Sequence, residues 1–380
     1  MFSYFARSLS FFAVLAVVLI AGLTSVQASP YNHSAAKQAI LIDFETGMIL
    51  FEKNADEKMP TSSMSKVMTM YAVFEALRDG RITLDATLPV SEKAWRKGGS
   101  KMFVEVGKRV AVEDLIRGVI IQSGNDATIV LAEGLSGTED SFADLLNTTA
   151  QRLGMDDSHF MNASGWPDPN HYSTARDLAK LAKALIVNFP EYYHYYSEKE
   201  FTYNNIKQRN RNPLIYRDMG ADGIKTGHTE VGGYGLMASG ERDGRRVLLV
   251  VNGLEDEKAR AQEGARLLEW GLKGFENLTL FQSGETVEVA DVAMGKQETV
   301  PMVLEDDLLV TLPVTLKNDL DVSVSYKTPL VAPVQAGDEV GTLTVKIPRG
   351  ETLEIPLVAG DDVPEIGLFK KIFVKLKYLI

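Results

Sequence analysis

The spacing of apolar and polar positions changes along this chain, and each change predicts an element. Ala39–Ile42 and Met48–Phe51 are two short apolar runs around the Glu45-Thr46-Gly47 turn, which predicts a β-hairpin. From Pro60 to about Pro190 the spacing is mostly helical, with helices predicted over Ser63–Leu77, Val112–Ile121, Asp126–Leu135, Ser141–Leu153 and Ala175–Val187. Strand patterns return at Gly223–Lys225, Gly235–Ser239 and Val247–Val251. The last two are joined by Glu241-Arg242-Asp243-Gly244, whose Asp-Gly marks a hairpin turn. Glu257–Leu272 then reads as a helix stopped at Gly274. Strands from both ends thus flank a helical middle. The economical arrangement is one antiparallel sheet assembled from both ends and covered by helices, with a helical insertion as a second lobe. A cleft between the lobes is the expected place for a site.

Beyond Phe275 the pattern shifts to short strands, Thr286–Val289, Leu308–Val314, Val322–Tyr326, Val340–Ile347 and Leu353–Val358, spaced by Gly, Pro, Asp and Asn. This predicts a separate small β domain, with no histidine and no catalytic cluster, suited to a spacer or interaction role. The last residues change character again. At a helical step Leu368, Phe369, Ile372, Phe373, Leu376, Leu379 and Ile380 fall within an arc of about 140°, with Lys370, Lys371, Lys375 and Lys377 opposite. A basic amphipathic end on an acidic protein reads as an interfacial helix facing anionic lipid. At the other end, Arg7 precedes an apolar run from Leu9 to Leu23, and Val26-Gln27-Ala28 resembles a small-x-small cleavage site. The run is short for a membrane span, so removal after Ala28 is expected. The domain organisation is therefore a signal peptide over 1–28, a catalytic domain over 29–274, a β-rich domain over 275–363 and a membrane anchor over 364–380.

Composition narrows the function. With 380 residues and 45% apolar content the chain supports two domains and a sizeable core. Having no cysteine, it can hold neither disulfides nor thiolate metal sites. A net charge of -11 argues against a general nucleic-acid binder. No His-Glu-x-x-His occurs, which argues against a zinc peptidase, and no cofactor is called for.

The chemistry centres on Pro60-Thr61-Ser62-Ser63-Met64-Ser65-Lys66. It opens a helix that is apolar nearly all round and hence buried. Ser63 and Lys66, three apart, share a face, where their side chains can meet. Burial and a nearby cation both lower a lysine pKa, and a neutral amine can take the proton of a serine hydroxyl. Ser63 is therefore a candidate nucleophile and Lys66 its base. A second Ser-x-x-Lys, Ser34–Lys37, runs straight into a strand pattern and reads as chance. Two further motifs join the first: Ser123-Gly124-Asn125, a polar turn between two helical runs, and Lys225-Thr226-Gly227, on a strand.

In this order the three motifs resemble those of the serine acyltransferases of the penicillin-binding protein and β-lactamase superfamily. The likeness extends to the low-molecular-mass D-alanyl-D-alanine carboxypeptidases through Ser123–Ala127, Lys225–Thr229, Gln208–Asn212, Gly98-Gly99-Ser100 and Tyr172–Asp177. Ser164-Gly165-Trp166-Pro167 departs from the Gly-Leu pair common in that family. The resemblance implies an α/β, β-lactamase-like fold: an antiparallel sheet flanked by helices plus a helical lobe, then a small C-terminal all-β domain and a terminal amphipathic helix. It also implies roles. Ser63 attacks the bond between the D-alanines of a peptidoglycan stem peptide ending in D-Ala-D-Ala, and is acylated by β-lactams. Lys66 is general base, Ser123 relays a proton to the leaving amine, and Asn125 holds Lys66 and the substrate amide. Lys225 supplies a cation that helps keep Lys66 neutral and attracts the substrate carboxylate, which Thr226, Thr229 and Arg260 also contact. Gly227 leaves room for an extended peptide, and the backbone N–H of Ser63 and of His228 forms the oxyanion hole. His33, His159, His171 and His194 read as structural or exposed. The place of action is the periplasmic face of the cytoplasmic (inner) membrane.

A secreted β-lactamase shares these residues but needs a deacylating glutamate, and no Glu-x-x-Leu-Asn is present. A D,D-endopeptidase cutting cross-links uses the same machinery and stays open as an alternative. A catalytically silent wall-binding protein has no need for Lys66.

Overall fold

The structure is a computed structural model that describes residues 33–347, 352–368 and 370. The expected signal peptide lies outside those residues, as does nearly all of the expected terminal amphipathic helix. Among the described residues no helix is long and apolar enough to cross a membrane.

Five strands form the central sheet: β1 (Gln38–Asp43), β2 (Ile49–Lys53), β3 (Ala221–Thr229), β4 (Gly233–Arg242) and β5 (Arg245–Leu254), in the order β2-β1-β5-β4-β3. Every pairing is antiparallel, so the N-terminal hairpin closes onto the late strands through β1 and β5. The β4–β5 turn has Asp243 at φ 51 and Gly244 at φ 77, the left-handed pair that a two-residue hairpin turn requires.

The longer helices are α1 (Lys66–Arg78), α2 (Val112–Ile120), α3 (Asn125–Ser136), α4 (Glu139–Arg152), α5 (Ala175–Asn188) and α6 (Glu257–Gly274). Strand alternation explains how the sheet sits between them. Ile40, Ile42, Leu248 and Val250 turn into the large core that includes Met68 and Phe74 of α1 and the apolar side of α5. Ala39, Leu41, Val247, Leu249 and Val251 turn the other way, onto Leu267, Leu268 and Leu272 of α6. Both faces are covered, and β3 is left as an edge strand.

One expectation needs correcting in detail. The nucleophile motif does not open α1; Ser62–Ser65 is a separate 3-10 turn, and the α-helix begins at Lys66. Thr61 does not cap it, because its hydroxyl is taken by Ser65 Oγ at 2.5 Å. Two short ribbons in the helical lobe, Thr87–Pro89 with Arg109–Ala111 and Glu200–Tyr203 with Ile206–Arg209, were not expected from the pattern.

After α6 the chain enters an all-β unit with its own core, including Val300, Met302, Val310, Leu343, Val345 and Leu357. It holds a six-stranded sheet and a separate pair, Phe275–Phe281 with Leu308–Pro313. That pair is bonded back to the catalytic domain. Asp43 forms an ion pair with Arg245 at 2.8 Å and accepts from Asn277 Nδ2 at 3.2 Å. Thr311 donates to Asn277 at 2.8 Å and lies 2.6 Å from Thr46 Oγ1.

Candidate active site

The 3-10 turn sits where α1 meets the edge of the sheet. Gly227 and Gly235 face one another across β3 and β4. A Cβ on Gly227 would lie 3.1 Å from Met64 Cγ and 2.9 Å from the Thr61 carbonyl; one on Gly235 would lie 2.6 Å from Met64 Cε. The glycine pair is thus a notch that seats Met64 and draws the turn onto the sheet. The space on the Cβ side of Gly227 is filled by the turn itself.

This seating fixes Ser63, which is half-buried, beside Lys66, which is fully buried. Lys66 Nζ lies 2.8 Å from Ser63 Oγ, 2.8 Å from Asn125 Oδ1 and 2.7 Å from the Ser164 carbonyl. The Asn125 amide is oriented by its own bond, Nδ2 donating to the Gly98 carbonyl at 2.9 Å, so an oxygen faces the lysine. A neutral amine has two N–H groups and one lone pair. The two carbonyl oxygens can only accept, so they take the N–H groups and the lone pair is left for the Ser63 hydroxyl. Burial pulls Lys66 down to about 7 from 10.5, with Arg211 and Lys97 adding to the effect.

Ser123, between α2 and α3, has φ 60, a left-handed conformation that a serine adopts only when held. The Asp126 carboxylate holds the neighbouring loop by accepting from the backbone of Met102 at 2.8 Å, Phe103 at 2.8 Å and Val104 at 3.1 Å. Ser123 Oγ is buried and has no hydrogen-bond partner among the described residues.

On the other wall, β3 carries Lys225, Thr226, Gly227, His228 and Thr229 in succession. Lys225 is buried, and burial holds it well below the ordinary lysine value, with Lys66, Arg211 and Arg260 acting in the same direction. Thr229 Oγ1 accepts from Ser62 Oγ at 3.2 Å, which ties the strand to the nucleophile turn. His228 is exposed and stacks on Tyr234 at 3.9 Å. Arg260, buried on α6, lies 5.5 Å from the same tyrosine ring and keeps its Nε unbonded.

The sequence reading missed partners whose side chains carry no signal. Ser164 and Gly98 contribute only carbonyls. Gly165 has φ 73 and a Cβ there would fall 1.7 Å from the Ser62 carbonyl, so no other residue fits. Arg211 lay inside the Gln208–Asn212 motif but was not singled out; its Nη1 donates to Ser100 Oγ at 2.6 Å. Trp166 is exposed, over Gly98 and Gly99, with Lys97 Nζ 4.3 Å from its ring.

A serine bonded to a buried lysine, with a strand tied to the same turn through Thr229, matches the layout of a serine acyl-transfer site. The family model described as D-alanyl-D-alanine carboxypeptidase matches residues 24–256. This chain belongs to that family. A second model, the C-terminal domain of penicillin-binding protein 5, matches residues 275–365. The D-alanyl-D-alanine carboxypeptidase DacC of Escherichia coli (strain K12) is 38% identical, over 90% of this chain and 88% of its own. Penicillin-binding protein 5 from Haemophilus influenzae superposes with a TM-score of 0.77 at 35% identity, covering 88% of this chain and 98% of that one. The carboxypeptidase DacD from Francisella tularensis gives 0.79 at 32% identity, covering 89% and 96%. The β-lactamase-like fold and the C-terminal all-β domain expected from the motifs are those of these relatives.

Proposed function

We propose that this protein removes the terminal D-alanine from peptidoglycan stem peptides through an acyl-enzyme on Ser63. The observation that supports the assignment of residues is the bonding of Lys66: of these three hydrogen-bond partners, the Ser63 hydroxyl is the one that can give a proton.

The Ser63 proton passes to Lys66 as Oγ bonds to the carbonyl carbon of the penultimate D-alanine. The developing oxyanion is met by the backbone N–H groups of Ser63 and His228. As the C–N bond breaks, the proton held by Lys66 reaches the leaving amine by way of Ser123, and D-alanine departs. Water then adds to the ester, its proton taken by Lys66, and Ser63 is released. The peptide runs along the outer edge of β3, which lies at the end of the sheet. Its terminal carboxylate sits among Lys225, Thr226, Thr229 and Arg260, where an anion relieves the mutual repulsion of the cations. Asn125 Nδ2 keeps one N–H for the substrate amide. A β-lactam enters by the same step and is held as a covalent adduct; the Haemophilus influenzae relative is named a penicillin-binding protein.

The protein acts outside the cytoplasmic membrane, on its outer face, held by the basic amphipathic segment Leu368–Ile380. The support is the helical spacing of that segment in the sequence and the likeness to D-alanyl-D-alanine carboxypeptidases. The β domain then lifts the cleft toward the wall.

The test is release of D-alanine from a stem pentapeptide, beside a cross-linked stem-peptide dimer, by wild type and Ser63→Ala. Pentapeptide cleavage lost in Ser63→Ala supports the assignment. Cleavage of the dimer alone points to the endopeptidase.

A further inference from the structure

The turn that carries Ser63 is strained and uncapped, so its surroundings must hold it. Ser62 has φ 52, a left-handed conformation that persists in a non-glycine residue only where packing and bonding over-determine it. From the sheet side the turn is tied through Ser62 and Thr229. The opposite side is held by the segment between α4 and α5.

His171, in that segment, is 5% exposed. Its Nδ1 accepts from the Met161 backbone N–H at 3.2 Å, which places the ring proton on Nε2. Nε2 lies 2.7 Å from Ser65 Oγ and donates to it. The Ser65 hydroxyl, 0% exposed, then donates to Thr61 Oγ1 at 2.5 Å. The chain is directional, and it spans the turn from its last residue to the residue before it. The edge of Phe160 meets the imidazole at 5.5 Å and 86°, which leaves the ring little freedom. Burial holds His171 down to about 4, so this bonding pattern persists throughout the neutral range.

The same segment delivers the Ser164 carbonyl to Lys66 and seats Gly165 against the Ser62 carbonyl. One stretch of chain therefore positions both members of the reacting pair. We propose that His171 is a positioning residue for acyl transfer: through Ser65 and Thr61 it fixes the strained turn that sets Ser63 against Lys66. His171 touches neither the nucleophile nor the substrate. This rests on the reading of Ser63 as nucleophile.

The experiment compares wild type, Ser65→Ala, His171→Ala, His171→Gln and the double alanine variant. Acylation by a fluorescent penicillin gives a rate constant and, from its amplitude, the fraction of competent sites; kcat and KM are measured on a stem pentapeptide. Each single alanine variant should lose roughly 10–100-fold in acylation rate and in kcat per competent site, with KM little changed, as for a displaced nucleophile. The double variant should be no slower than the slower single, because both remove one chain of bonds. His171→Gln, whose amide nitrogen can reach Ser65, should recover most of the rate. Where His171→Ala fails to fold, Ser65→Ala alone decides. Rate constants per competent site equal to wild type, with only amplitude or melting temperature lowered, overturn the proposal. Wild type that forms no adduct overturns the assignment of Ser63 instead.

Discussion

Lys66 Nζ lies 2.8 Å from Ser63 Oγ, and its other two polar neighbours are oxygens that cannot donate. Burial favours the neutral amine, whose two N–H groups those oxygens accept while its lone pair faces the Ser63 hydroxyl. Structure and charge state thus agree on a base poised at one hydroxyl.

Lys66→Arg keeps a cation but cannot give it up, since a guanidinium stays protonated. Acylation by a β-lactam should fall by about 10²–10⁴-fold, the range that a general base contributes. Stopped-flow or quench measurement of adduct formation checks this. A variant within a few-fold of wild type would remove Lys66 from the reaction.

Asn125→Asp should raise the Lys66 pKa, because it puts a carboxylate where a neutral oxygen now stands 2.8 Å from Nζ. The ammonium form then persists to higher pH. The alkaline rise of the acylation rate should move up by about one pH unit or more, with the rate at pH 7 reduced. An unmoved profile would mean that the site is more solvated than its burial implies.

Gly165→Ala puts a methyl 1.7 Å from the Ser62 carbonyl at a residue with φ 73. The neighbour is backbone and cannot swing aside. The turn must shift, so peptide hydrolysis should be nearly abolished and the melting temperature lowered. Gly47→Ala, at φ 73 with nothing within 4 Å, is the control: it should lose some stability but keep its activity.

Arg245→Ala leaves the Asp43 carboxylate, 0% exposed, without its cation. Breaking a buried pair in this way costs about 3–5 kcal/mol. Because Asp43, Asn277 and Thr311 join the two domains, calorimetry should show one unfolding transition for wild type and two for the variant, with hydrolysis retained below the first. A single lowered transition would mean that the domains are coupled elsewhere.

Most of the framework was legible in the sequence because it rests on periodicity and on side-chain chemistry. The helices near Val112, Asn125, Glu139, Ala175 and Glu257 and the hairpin turn at Asp243-Gly244 follow from apolar spacing and turn residues. Ser63, Lys66, Ser123 and Lys225 were legible as residue types in an ordered set of motifs. What stayed hidden depends on backbone or on distant packing. The carbonyls of Ser164 and Gly98 have no side-chain signature, and the Ser62–Ser65 turn looks like helix because Pro60 and the Thr/Ser cluster are helix-start signals and it runs straight into the apolar helix. The Phe275–Phe281 strand was also missed: it starts as α6 ends, and its partner Leu308–Pro313 lies far along the chain. His171 looked structural because nothing in the sequence brings it to Ser65.

The central claim is that neutral Lys66 activates Ser63. Its most direct test is the rate of penicillin adduct formation, followed by intact mass from pH 5 to 9 on wild type and Ser63→Ala. Deprotonation of Lys66 turns the base on, so the rate should rise with pH and reach half its plateau at about 7, with no adduct on Ser63→Ala. A rate that is flat across this range, or an adduct that survives the loss of Ser63, would contradict the account.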